Sequence, residues 1–342
     1  MKPVQTVLVT GVGGYIGSTV TRSLIERGYT VLGLDLLLYG AAGIQEFSSH
    51  PRFKLFKADV RDRETCEAIM EQADAVMHLA AIVGMPVCAK YPELADETNR
   101  VSTQTLFDCA NRAGRVQRFL FPSSTSVYGA VQTEGYVDET SPTHPLSLYA
   151  ELKLQCEDYV LHAPKRVDLV ATVLRFPTGY GLSGRMRFDL TVNEFTRDLT
   201  VGGYVKIFGE HCSRPYCHVE DLARACLQVL EAPASQVDRE LYCVGDVSEN
   251  YTKQRLCGAL QEVIPDGKVV RAPTGDDPRD YRVDCAKIRR LGFRITKTVR
   301  DGVVEISDAL RQGRFPNPFD PIYTSVLLDQ AWAALPDAAH RS

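Results

Sequence analysis

The chain has 342 residues, of which 44% are hydrophobic and 24% charged, and it carries a formal net charge of -4 at neutral pH. This is the composition of an ordinary globular protein, long enough for a sizeable core and two substructures. The small negative charge gives no general reason to bind nucleic acid or an anionic membrane, and no apolar run is long enough to span a bilayer. The N-terminus passes from Met1-Lys2-Pro3 into a strand without a signal-peptide pattern, which predicts a cytoplasmic protein. The ten cysteines are scattered, with no Cys-x-x-Cys. Their densest group is His211-Cys212 with Cys217-His218; no second pair follows at zinc-finger spacing, so reduced thiols and no metal site are expected.

Val4 to Thr10 reads as a buried parallel strand that ends in Thr10-Gly11-Val12-Gly13-Gly14-Tyr15-Ile16-Gly17. A helix follows, with Ile16, Val20 and Leu24 on one face and Gly28 at its end. The next strand, Thr30 to Leu34, runs into Asp35 and Leu36. In such a βαβ unit the glycines let the backbone approach a pyrophosphate, which sits on the helix N-terminus. Asp35 then meets an adenosine ribose and repels a 2′-phosphate, so the expected cofactor is NAD rather than NADP.

The alternation continues with a strand at Phe53 to Lys57, a helix at 63–72, a strand at Ala75 to His78 and a long helix at about 92–113. The strand Arg118 to Phe121 delivers Ser123 and Ser124 at its C-terminal end, and a helix at 147–162 precedes the strand Val167 to Leu174. This order predicts an α/β fold, a Rossmann-type doubly wound parallel sheet over residues 1–181 that recruits parts of 204–246. Beyond it, 182–313 reads as a smaller α+β substrate-binding domain. Its helices fall at 188–199, 219–231, 251–263, 284–291 and 301–312, its short strands at 204–208 and Leu241 to Val244, and its arginines in loops. Residues 314–342 read as an extended tail with a disordered end.

Inside the first half lies the stretch with the most chemistry. Tyr149 and Lys153, four residues apart on a predicted helix, project from one face. A lysine ammonium beside a phenol stabilises the phenolate, moving a group with an ordinary pKa of about 10 toward use as a general base. A hydroxyl from Ser124 is suited to hold the substrate oxygen that loses its proton.

Taken together, these residues resemble the extended short-chain dehydrogenase/reductase family, and within it the nucleotide-sugar epimerases and dehydratases, over about residues 1–312. The turn Gly11-x-x-Gly14-Tyr15-Ile16-Gly17 with Asp35 and Leu36, the pair Asp59-Val60, and His78-Leu79-Ala80-Ala81 look like its cofactor-binding segments. Ser124, Tyr149 and Lys153 look like its catalytic triad, and Arg214 to Ala223 like its substrate-phosphate segment. The resemblance implies that Tyr149 takes a proton from a sugar hydroxyl, that Lys153 lowers the tyrosine pKa and holds the nicotinamide ribose, and that Ser124 shares the bond to the reacting oxygen. It places Pro177 against the nicotinamide, and Asn193, Arg214 and Arg279 on the substrate diphosphate. It also implies a homodimer built through the helices near 92–113 and 147–162. Arg185 and Arg187 are expected on the surface.

The residues after Ser124 separate the reactions within that family. Its 4,6-dehydratases carry Asp-Glu there, its decarboxylases a glutamate and its 3,5-epimerases a cysteine at the second position, whereas this chain has Thr125-Ser126, which is neither acid nor base near neutral pH. The expectation is therefore an NAD-dependent nucleotide-sugar epimerase acting at C4. Its rival is a 4-keto-sugar reductase, and a cofactor-sensing protein without catalysis is a more distant reading. Thr178 in place of an asparagine common in the hexose 4-epimerases, and Val83 where a polar sugar contact often sits, leave the sugar and the nucleotide open.

Overall fold

The computed structural model describes residues 3–131, 135–272 and 279–325. Among them the strands are β1 (Thr6–Thr10), β2 (Thr30–Asp35), β3 (Phe53–Lys57), β4 (Ala75–His78), β5 (Arg118–Ser124), β6 (Val170–Phe176), β7 (Thr178–Tyr180), β8 (Tyr204–Ile207), β9 (Ser213–His218), β10 (Glu240–Cys243), β11 (Asn250–Thr252) and β12 (Lys268–Arg271). Seven of them form one parallel sheet in the order β10-β6-β5-β4-β1-β2-β3. The order reverses at β1 and β4, and an open α/β sheet places its ligand in the crevice at that reversal.

The sheet is covered on both faces, which is why its strands read as near-continuous apolar runs. Val7 and Val9 face a layer that includes Val20 and Leu24 of the helix Tyr15–Glu26 and Leu222, Cys226 and Val229 of the helix Val219–Glu231. Leu8 points the other way, into a layer with Ile69 of Arg63–Met70, Leu106 and Phe107 of Ser102–Arg112, and Cys156 and Val160 of Leu148–His162. Gly28 ends the first helix at φ +93°, a conformation that disfavours any side chain, and its N–H donates to Ile25 O at 2.9 Å. The strand Glu240–Cys243 pairs with β6, so the sheet does take a strand from beyond residue 181.

The predicted helix at 92–113 is continuous but not uniform. Pro92–Ala95 passes through a π-helical stretch, Asp96–Val101, into Ser102–Arg112. The wider turn carries the buried Asn99, whose side chain accepts from Ile82 N at 2.7 Å and donates to Ile82 O at 2.9 Å, pinning the chain that leaves β4. A short helix, Met85–Lys90, was not expected.

The second half departs further from expectation. The segment around Arg214 is not a loop but β9, the middle strand of a three-stranded sheet ordered β11-β9-β7. Pro215 inside it argues against a central strand, because proline has no N–H to give to the ladder. Six consecutive buried residues hold the strand in place regardless. The tail begins as an aromatic anchor: Phe315 packs edge-on against Phe188 and Tyr323 at 5.1 and 5.5 Å. Residues 326–342, with the expected disordered end, lie outside the described residues.

One buried ionic group fixes the end of β5 against the helix Leu148–His162. Glu157, 2% exposed, accepts Arg175 Nε at 3.0 Å and Nη2 at 2.7 Å and also the Ser123 hydroxyl. Arg175 Nη1 donates to the Tyr128 hydroxyl at 3.0 Å. Removing one partner of such a pair strands a buried charge, so Glu157→Ala is expected to cost about 3–5 kcal/mol, while Glu157→Leu with Arg175→Met recovers most of it. Shifts in the urea midpoint of the two variants check this.

Candidate active site

The crevice at the sheet reversal is walled by the glycine turn. Gly11 has φ +72°, and a Cβ there would lie 2.7 Å from Ala80 N. A Cβ on Gly17 would lie 1.9 Å from Gly11 O, so the helix Tyr15–Glu26 starts in direct backbone contact with the end of β1. The first turn of that helix carries no acidic side chain, leaving its N–H groups and dipole to an anion. Asp35 stands at the tip of β2, its carboxylate accepting Gly13 N at 2.8 Å and Leu37 N at 2.7 Å, and burial pushes its pKa up. Leu36, Asp59, Val60, Leu79, Ala80 and Ala81 line the same crevice with Gly11, Gly14, Tyr15, Ile16 and Gly17. Asp59 is held by Arg61, whose Nη2 donates to it at 2.8 Å. Beneath, His78 is enclosed between the hydroxyls of Thr10 at 2.7 Å and Thr103 at 2.8 Å, and burial, with Lys153 adding to it, holds it down to about 3 and so neutral.

Toward β5 and β6 the chain presents its hydroxyls. Ser124 ends β5, half-buried, and its Oγ accepts Ser126 N at 3.1 Å. Tyr149, in the first turn of Leu148–His162, is half-buried, and Lys153 is one turn on. Lys153 Nζ donates to Pro122 O at 2.9 Å and lies 4.5 Å from the Phe121 ring centre and 5.9 Å from that of Tyr149. Burial lowers Lys153 to about 8 and raises Tyr149 above its ordinary value; among the charges acting on Tyr149, the one that pulls it down is Arg187. In this geometry the Lys153 ammonium bonds the Pro122 carbonyl, one helical turn on from Tyr149. Pro177 is buried between β6 and β7.

The residues expected on a substrate diphosphate fall in three settings. Asn193 is 0% exposed: it accepts Gly181 N at 2.9 Å and gives its two N–H groups to Tyr15 Oη at 3.3 Å and Arg187 O at 2.8 Å. Its donors are spent on the chain itself, so here it braces the turn after β7 rather than facing a phosphate. Arg214 is buried, with its guanidinium carbon 5.1 Å from the Tyr281 ring centre, and Tyr281 Oη lies 3.4 Å from the Thr125 hydroxyl. Arg279 is half-buried. Arg185 and Arg187, expected on the surface, instead line the same crevice as the glycine turn. The signal for them was their spacing: Met186 and Phe188 point into the core, and Asp189 stands two residues from Arg187, to which it bonds twice at 2.9 Å. Among the described residues no group of three or more His, Cys, Asp or Glu side chains converges, and no helix is long and apolar enough to cross a membrane.

Residues 7–245 match the model of the NAD dependent epimerase/dehydratase family. The chain belongs to that family. A dTDP-glucose 4,6-dehydratase from Actinoplanes sp. is 32% identical over 320 residues, covering 87% of this chain and 95% of its own. The UDP-glucose 4-epimerase of Thermotoga maritima, solved with UDP-glucose, superposes with a TM-score of 0.80 at 28% identity, covering 91% of this chain and all of its own. The dTDP-glucose 4,6-dehydratase DesIV of Streptomyces venezuelae, solved with NAD, gives a TM-score of 0.80 at 28% identity, covering 93% of this chain and all of its own. The cofactor of the family member described here is NAD, and the bare glycine turn and the carboxylate of Asp35 fit it.

Two predictions follow from the crevice and its surroundings. Asp35→Ala is expected to weaken NAD binding and to narrow the gap between NAD and NADP; equal NADP affinity before and after would remove Asp35 from the ribose. For Asp189 and Glu305, burial raises the carboxyl pKa, but bonds from Arg187 to the former and His218 to the latter outweigh it and hold both at about 2. Their folded values lie below the unfolded ones of about 4, so their stabilisation is whole above about pH 5 and is lost as pH falls toward 2. Thermal melting should be flat through the neutral range and fall steeply in acid, with a shallower fall for Glu305→Gln.

Proposed function

We propose that the protein is an NAD-dependent epimerase of a nucleoside-diphosphate sugar, acting at C4. The observation that carries this reading is the pair after Ser124. Thr125 is enclosed against Tyr281, and Ser126 is a second hydroxyl, so neither supplies the acid or base that eliminating water requires. Glu157, the carboxylate bonded to Ser123, is locked by Arg175 and is not available as a proton donor. Hydride exchange and hydroxyl-proton transfer are what these side chains support.

In this reading Tyr149 accepts the proton of the C4 hydroxyl, and Ser124 Oγ holds the oxygen as it becomes a carbonyl. Lys153, held by Pro122 O, supplies the positive charge that favours the phenolate. NAD supplies the acceptor, and later the donor, of the C4 hydride. The ketose then turns its other face, Tyr149 returns the proton, and the inverted alcohol leaves with no net redox change. Arg214 and Arg279 meet the substrate diphosphate as bidentate donors. The same reading makes the working form a homodimer through Ser102–Arg112 and Leu148–His162.

Denaturing the purified protein and assaying the supernatant tests the reading. Release of stoichiometric NAD or NADH, with isomer formation from a nucleotide sugar and no net change in NADH, is expected. Steady consumption of NADH with a 4-keto nucleotide sugar would make the protein a reductase instead. Tyr149→Phe should lower turnover by about 10²–10⁴-fold, as loss of a general base does, with NAD binding within a few-fold of the parent. Unchanged turnover would remove the tyrosine from the mechanism.

A further inference from the structure

The glycine turn is half of a wall; the other half comes from the segment that leaves β7. Ser183 Oγ donates to Tyr15 O at 2.6 Å and lies 2.9 Å from Ser18 Oγ, laying residues 181–185 along the start of the helix Tyr15–Glu26. A Cβ on Gly43 would lie 2.2 Å from Gly13 O and 3.2 Å from Arg185 Cβ. Three backbone segments therefore close-pack behind the glycine turn, and the stem of Arg185 starts from that junction. Its guanidinium runs over the Tyr39 ring at 4.2 Å and gives one N–H to Thr324 O at 2.8 Å.

What remains of Arg185 is uncommitted. The residue is 6% exposed, its Nε has no hydrogen-bond partner, and among the described residues no carboxylate lies within ion-pair distance of it. Its neighbour Arg187 differs, since Asp189 takes two of its N–H groups and balances its charge. A buried guanidinium with an unused donor costs free energy that an anion in the crevice would return. Burial lowers Arg185 to about 10 and Arg187 adds to that, against the opposing pull of Tyr39, Asp189 and Asp35.

We propose that Arg185 is a side-chain anchor for the diphosphate of the bound dinucleotide, in the crevice it lines together with the helix N-terminus at Gly14-Tyr15-Ile16. The glycine turn then offers backbone N–H groups, and Arg185 adds a charge-assisted bond. Tyr39 and Thr324 fix the guanidinium before the ligand arrives, so little side-chain freedom is lost on binding.

The test is calorimetric titration of the full-length protein, stripped of any nucleotide, with NAD, ADP and adenosine as probes. Arg185→Gln should weaken ADP and NAD by about 10- to 100-fold, the usual worth of a bond to a charged group, and leave adenosine within a few-fold. Arg185→Lys, which keeps the stem and the charge, should fall between the two for ADP and again leave adenosine alone. Equal weakening of adenosine and ADP in either variant would mean that the arginine only holds the crevice together, and would overturn the proposal. So would unchanged ADP and NAD affinity, including the case in which binding of a nucleotide sugar is lost instead, which would give the guanidinium to the substrate.

Discussion

The structure depends on a contact in which there is no room for a side chain. Gly17 sits so close to Gly11 O, and Gly11 so close to Ala80, that the end of β1, the first helix and the chain leaving β4 meet backbone to backbone. A methyl group at either position pushes the helix away from the sheet edge, and its N-terminus then no longer aims at the crevice. The same closeness lets Asp35 reach Gly13 N, so the Asp35 carboxylate and the helix N-terminus are set by one junction. Gly43, pressed onto Gly13, carries the constraint outward to Arg185. Local backbone freedom at a few glycines thus decides where several distant side chains can stand.

A second constraint governs the hydroxyl end. Ser124 is the last residue of a strand whose neighbour Ser123 is tied to Glu157, and Glu157 lies on the helix that carries Tyr149 and Lys153. Strand end and helix are thereby held in register by a buried pair, not by apolar packing alone. Such a pair adds little net stability for its desolvation cost, but it tolerates few alternative arrangements. Placing three side chains on two elements that share one ionic contact is a direct way to keep them together.

The Rossmann half was legible because its signals are local. Phe53–Lys57, Ala75–His78 and the helix Leu148–His162 fall where the apolar runs and their caps end, and the glycine turn declares itself within eight residues. The second half was harder for an equally physical reason. Its strands are three to six residues long, and β9 is stabilised by partners 30 or more residues away on either side, while Pro215 speaks against it locally. Arg185 and Arg187 were misplaced for the same cause. Their burial is made by Tyr39, about 150 residues earlier in the chain, and by the segment ending at Ser325, and no window of sequence contains all three. Asn193 shows the complementary case, where a residue type suited to a phosphate is consumed by the turn it stands next to.

The aromatic anchor at Phe315 has a further bearing on the crevice. From it the chain runs to Ser325, whose carbonyl accepts from Tyr39 Oη at 3.1 Å and whose N–H and hydroxyl both donate to Asp189. The Ser325 hydroxyl also sits 3.4 Å from where a Cβ on Gly84 would be. The segment therefore ties the loop after β2 to the loop after β4. Because Tyr39 and Gly84 meet at that one residue, the tail couples two loops that the sheet by itself leaves separate.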